Sequence, residues 1–137
     1  MRLSVACNFS PDLIDQLAAF PQVHEIYGKM RSDAIGGGRS SYTLGNIGPS
    51  TIVRTVSQAH QRGIRFNYLL NAATLGGLDQ TRQGYRSIRR LLDFLSRAGV
   101  DAVTVASPFL LQMVKAWYPH IRVRVGVFAC VDSPMKA

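Results

Sequence analysis

The sequence has 137 residues, 47% of them hydrophobic and 18% charged, with a formal net charge of +8. This composition is too apolar for a disordered chain, and the length suits one domain, residues 1–137, with a core of its own. No apolar run is long enough to span a membrane as a helix, and Asn8 and Asp12 interrupt the N-terminal apolar stretch too early for an export signal, so a cytoplasmic protein with reduced thiols is expected.

The predicted elements alternate from the start. LSVACN (3–8) reads as a strand. SPDLIDQLAAF follows as a helix, with Ser10 as N-cap, Pro11 at its first position, and Leu13, Ile14, Leu17 and Ala18 at helical spacing. QVHEIYG (22–28) reads as a second strand, and residues 29–48 as a long glycine-rich loop. Residues 49–63 form a helix with Ile52, Val56 and Ala59 on one face and Gly63 at its end. Residues 64–72 give a third strand. Residues 81–100 give the clearest helix, with Tyr85, Ile88, Leu92 and Leu95 as its inner stripe. Residues 101–107 are a fourth strand, 108–119 a helix, and 121–131 a fifth strand. Asp132 or Ser133 then caps a further helix, with Pro134 in its first turn.

Strands separated by amphipathic helices imply right-handed βαβ units, hence an α/β fold with a parallel sheet of about five strands. Two architectures share this repeat. One is an incomplete (β/α)8 barrel of the TIM type; the other is an open, doubly wound, flavodoxin-like sheet. In a barrel sector the first and fifth strands are open edges, so either a homo-oligomer or a missing C-terminal half is expected to cover them.

The segments RFNYLLNAATLGG, FLSRAGVDAVTVASPFLLQMVKAWYP and IRVRVGVFACVDS together resemble the N-terminal half of the collagenase-like peptidases, peptidase family U thirty-two. The matching features are the Leu70–Asn71 pair closing a strand, the AGVDAV start of the next strand (98–103), and the Ser107–Pro108 turn. The resemblance runs from Leu3 to about Asp132. It implies a TIM-type barrel of which these residues are the first five strands, and a hydrolase acting on peptides. The alternative that it implies is part of an iron–sulfur-dependent hydroxylase of RNA bases or quinones, whose cluster is held by cysteines in the later half. Such a cluster takes four thiolates. Cys7 and Cys130 cannot supply them, so no cofactor is expected in this chain without additional cysteines.

Both architectures gather functional groups at the C-terminal ends of the strands. They nominate Asn8, Lys29, Asn71, Ser107, Cys130 and Asp132. A short amide can donate to and accept from a ligand, although Asn8 and Asn71 can equally serve the local backbone. In the 29–48 loop, consecutive glycines precede Arg39, Ser40, Ser41 and Tyr42, a set able to hold a phosphate or carboxylate. The candidate substrate-binding residues are therefore Asn8, Arg39, Tyr42, Asn71, Ser107 and Asp132, for a small-molecule or peptide substrate. No metal site is expected, because His24, His60 and His120 lack metal-ligand spacing.

Three of the sixteen basic residues are lysines; the rest are arginines. RNA is therefore an allowed partner, but Arg82, Arg86, Arg89, Arg90 and Arg97 read first as a solvated helix face, with Asp93 able to pair with Arg89 and Arg97. Nucleophile motifs are weak. Ser133 to Lys136 matches S-x-x-K without companion motifs, and Cys130 reads first as a small buried hydrophobe. A non-catalytic binding or assembly module is thus a further alternative.

Overall fold

The structure, a computed structural model, describes residues 1–37 and 45–133. Five strands alternate with four helices: β1 (Leu3–Ala6), α1 (Pro11–Leu17), β2 (Val23–Gly28), α2 (Pro49–Gln61), β3 (Arg65–Leu70), α3 (Arg82–Arg97), β4 (Ala102–Val105), α4 (Pro108–Trp117) and β5 (Arg122–Val125). The sheet is parallel throughout, in the order β1-β2-β3-β4-β5. That order excludes the doubly wound alternative, which must reverse direction at a switch point.

The helix ends follow the residues that set them. Pro occupies the first turn of α1, α2 and α4, where its missing N–H has no partner to lose. The Thr81 hydroxyl accepts from the Gly84 N–H at 3.0 Å and caps α3. Gly84 itself is required by packing. A Cβ there would lie 2.2 Å from the Leu78 carbonyl oxygen of the short turn Leu78–Gln80 that crosses the start of α3. Ser10 stands at the N-cap of α1, but its side chain makes no capping bond.

One face of the sheet is apolar and carries the core. Ile26, Phe66, Tyr68, Leu70, Val103 and Val105 pack against Ile52, Val56 and Ala59 of α2, Ile88, Leu92 and Leu95 of α3, and Leu110 and Val114 of α4. The pairing register places Ser4 beside Glu25, Tyr27 beside Asn67, Leu69 beside Thr104, and Thr104 beside Arg124. Side chains alternate along a strand, so these residues share the opposite face. That face is mostly polar.

The fifth strand is shorter than its apolar sequence suggests. Pairing ends at Val125, and residues Val127–Ala129 form a single turn. Val127 is 86% exposed, and Phe128 and Val131 are also exposed. An apolar, β-branched run makes a buried strand only where neighbours cover it, and among the described residues nothing covers this one. Cys130 is exposed as well, which corrects its reading as a buried hydrophobe. The helix expected from Pro134 onward lies outside the described residues.

Asp93 does not pair with Arg89 or Arg97 as expected. Its Oδ1 accepts from the Tyr118 hydroxyl at 2.5 Å, and the Arg89 guanidinium lies over the Trp117 ring, 4.5 Å from its centre. A desolvated phenol donor competes better for the carboxylate than a flexible arginine in water.

Candidate functional site

The polar face of the sheet holds a chain of contacts between strands. The Ser4 hydroxyl and Arg124 Nη1 both reach Glu25 Oε1, at 2.7 and 2.5 Å. Asn67 and Thr104 exchange two hydrogen bonds, at 2.9 and 3.1 Å. Glu25 is fully buried, whereas the Arg124 side chain is 39% exposed. Glu25 lies on β2 and Arg124 on β5, three strand spacings apart, which is about 14 Å in a flat sheet. Side chains stand roughly perpendicular to a sheet. The ion pair therefore closes only because the sheet curls towards this face, making it concave.

The pair is also slanted. By register Glu25 is level with Arg65, whereas Arg124 is level with Thr104 and Leu69, four residues further along β3. Strand tilt in a curled sheet produces such a stagger. Two buried side-chain oxygens have no hydrogen-bond partner among the described residues: Glu25 Oε2 and Asn71 Oδ1. Continuing the alternation of β3 through Asn67 and Leu69 puts Asn71 on the same concave side. A Cβ added to Gly126 would lie 3.7 Å from the Asn71 Cβ, so Asn71 borders the end of β5.

At the C-terminal ends of the strands, the expected residues are distributed unevenly. Asn8 Oδ1 accepts from the Ser10 N–H at 2.9 Å, so this amide serves the backbone turn into α1. Ser107 is the N-cap residue of α4, with no capping bond from its side chain. Ser107, Cys130 and Asp132 line one open cleft of about 900 Å³ between the start of α4 and residues 125–132. Its walls include Val105, Pro108, Leu111, Val125, Val127 and Val131. Asn71 lies next to it through Gly126. The structure thus brings Asn71, Ser107 and Asp132 to one region and leaves Asn8 at the far edge strand. Arg39 and Tyr42 lie outside the described residues.

The described start of the β2–α2 loop is anchored from beneath. Lys29 is buried, with its Nζ 3.0 Å from Asp33 Oδ2 and donating to the Gly36 carbonyl at 2.5 Å. Asp33 Oδ2 also accepts from the Tyr68 hydroxyl at 2.7 Å, and its Oδ1 from the amides of Ile35 and Gly36. Burial, and then the charge and hydrogen bond of Asp33, push the Tyr68 phenol far above its ordinary range, so it remains a donor. Gly37, at φ +64°, passes so close to the chain leaving β3 that a Cβ would lie 2.4 Å from the Ala72 Cα. Lys29 was expected as a ligand-facing residue; it is consumed instead as an internal anchor. Asp33 and Tyr68, 35 residues apart, had no signal in local sequence.

The histidines lie elsewhere. His60 Nε2 contacts Asp101 Oδ2 at 2.8 Å, and His120 Nε2 contacts the Ser96 hydroxyl at 2.8 Å, both beside the N-terminal ends of the strands. No group of three His, Cys, Asp or Glu residues able to hold a metal occurs among the described residues. Cys7 is buried after β1, and Cys130 is exposed after β5. Thiols following the two edge strands do not fit a four-thiolate cluster. No described helix is long and apolar enough to cross a membrane.

No family model matches the sequence. An uncharacterized protease of Methanocaldococcus jannaschii, MJ1657, is 30% identical over 103 residues, which cover 75% of this chain and 30% of that protein. The structure of the U32 peptidase Mk0906 superposes with a TM-score of 0.75 at 26% identity, covering 99% of this chain and 52% of the other. The chain thus spans under a third of the one relative and about half of the other. The two likenesses together relate the chain to the U32 peptidase family.

Proposed function

We propose that this chain forms five consecutive strands of a (β/α) barrel of the peptidase type and binds a peptide substrate at the C-terminal ends of β3, β4 and β5. The observation that carries this reading is the Glu25–Arg124 pair, which spans the curled sheet from β2 to β5 with a slant of four residues over three strands. An eight-stranded barrel staggers by about one residue per strand. The cleft beside Ser107 and Asp132 then lies where barrel enzymes place their sites, with apolar walls for a side chain and Asn71 as an acceptor for a backbone N–H. Both relatives, an uncharacterized protease and a U32 peptidase, agree with a peptide ligand.

Peptide hydrolysis would need a nucleophile and a base within hydrogen-bond reach. Among the described residues of this cleft no histidine stands beside Ser107 or Cys130. We therefore assign to the chain substrate binding, and assign hydrolysis to the complete barrel. Further strands against the open edge of β5 would cover Val125, Val127 and Phe128, and we propose that they come from the remaining half of such a barrel. A second copy of the chain would instead appear as a dimer in sedimentation.

Hydrogen exchange with a mixture of unstructured peptides tests the reading. Protection of residues 105–111 and 125–132, lost on Ser107→Trp substitution, is the expected result. Protection elsewhere, or unchanged protection in that variant, would overturn it.

A further inference from the structure

The opposite end of the sheet carries a second cavity, of about 410 Å³, lined by Arg65, Ser96, Gly99, Val100, Asp101, His120 and Arg122. Its geometry follows from register. Arg65 is the first residue of β3 and Arg122 the first of β5, and both lie on the concave face, on either side of the start of β4. Two guanidinium groups therefore flank one strand end. Neither has a carboxylate or hydrogen-bond partner for its side chain among the described residues.

The neighbouring groups shape the rest of the wall. The Ser96 hydroxyl and His120 Nε2 hold each other at 2.8 Å, which fixes the imidazole and leaves Nδ1 outside that bond. Gly99, at φ +78°, brings backbone without a side chain to the cavity wall. The one acidic lining residue, Asp101, is engaged at one oxygen: its Oδ2 accepts from the Phe66 amide at 2.8 Å and meets His60 Nε2 at 2.8 Å. What faces the cavity is thus net positive, two guanidinium groups against one carboxylate that is held at its Oδ2.

We infer that this cavity binds a phosphate group, carried by a small phosphomonoester. Paired guanidinium groups match the oxygens of a tetrahedral dianion and are less hydrated than ammonium groups, so they exchange water for phosphate at lower cost. The volume exceeds what a phosphate group alone fills, which leaves room for the ester substituent against Val100 and Gly99. The site is independent of the cleft at the C-terminal ends, since it draws only on residues from the starts of the strands and the loops before them.

The test is titration of the 137-residue chain with inorganic phosphate and with phenyl phosphate at constant ionic strength, followed by the amide shifts of Gly99 and Asp101 and the His120 ring signals. Saturable shifts at these positions are expected, with phenyl phosphate binding more tightly than inorganic phosphate. Arg65→Gln with Arg122→Gln should weaken both by about tenfold or more. Arg97→Gln, next to the cavity but not lining it, should leave them unchanged. Equal shifts from chloride, or undiminished affinity in the folded double variant, would overturn the proposal. Equal affinity for the two ligands would overturn the ester assignment.

Discussion

The two faces of the one sheet are built on different physics. The helix-facing side joins Phe66, Leu70, Val103 and Val105 to three helices by apolar contact, with Tyr68 as its polar exception. The concave side joins Ser4, Glu25, Asn67, Thr104 and Arg124 by directional contacts and leaves two acceptor atoms without partners among the described residues. The first face depends on volume and tolerates any well-packed hydrophobe. The second depends on specific atoms at specific distances, and a buried half-satisfied group is costly. The comparison teaches which residues make the chain fold and which decide what it encloses or binds.

The largest expected effect comes from the apolar face. Phe66→Ala should lower the unfolding free energy by about 3–5 kcal/mol in urea denaturation, since the ring is fully buried. A loss below about 1 kcal/mol would break the assignment of the core to this face. Tyr68→Phe should cost about 1–2 kcal/mol, because it removes the donor to Asp33 and the acceptor of the Met30 amide. Faster hydrogen exchange at Ile35 and Gly36, whose amides Asp33 holds, would accompany it.

A smaller effect sharpens the contrast by lying on neither face. Thr81→Ala removes the cap of α3 and should cost about 1 kcal/mol, adding without coupling to any change at Arg124. The smallest effect is a pH dependence. Burial, and then the bond to Asp93, push the Tyr118 phenol up to about 12 from its ordinary 10.0. A raised value means that the folded state holds this proton more tightly than the unfolded one. The contribution is complete below about pH 10 and is lost as pH rises towards 12. The urea midpoint should fall across that window in the parent chain and fall less in Tyr118→Phe.

The alternation of strands and helices was legible because each element carries its own period and its own stop signals. Pro11, Pro49 and Pro108 open three helices, and Gly63 and Gly99 follow the ends of two. The choice between barrel sector and doubly wound sheet was not legible, since strand order is absent from a local pattern. The concave face was half legible. RVRV of β5 and AVTV of β4 alternate with period two, which announces one polar or small-residue face. The partner of each polar residue was not readable, because Glu25 and Arg124 are 99 residues apart. The overlong fifth strand arose from reading apolar character as burial at Val127, Phe128 and Val131, which nothing among the described residues covers. The anchored loop failed for a third reason: Lys29 and Asp33 are four apart, a helical spacing, but meet in a loop turned by Gly36 and Gly37.

The curled sheet is the claim on which the concave face, the barrel reading and the position of the cleft all rest. A double-mutant cycle on Glu25→Gln and Arg124→Met measures it directly. The account predicts a coupling of about 1–2 kcal/mol in unfolding free energy, allowing for the 39% exposure of Arg124, with the double variant recovering part of the loss of Arg124→Met alone. Strictly additive effects would contradict it, because residues on strands three spacings apart in a flat sheet do not touch.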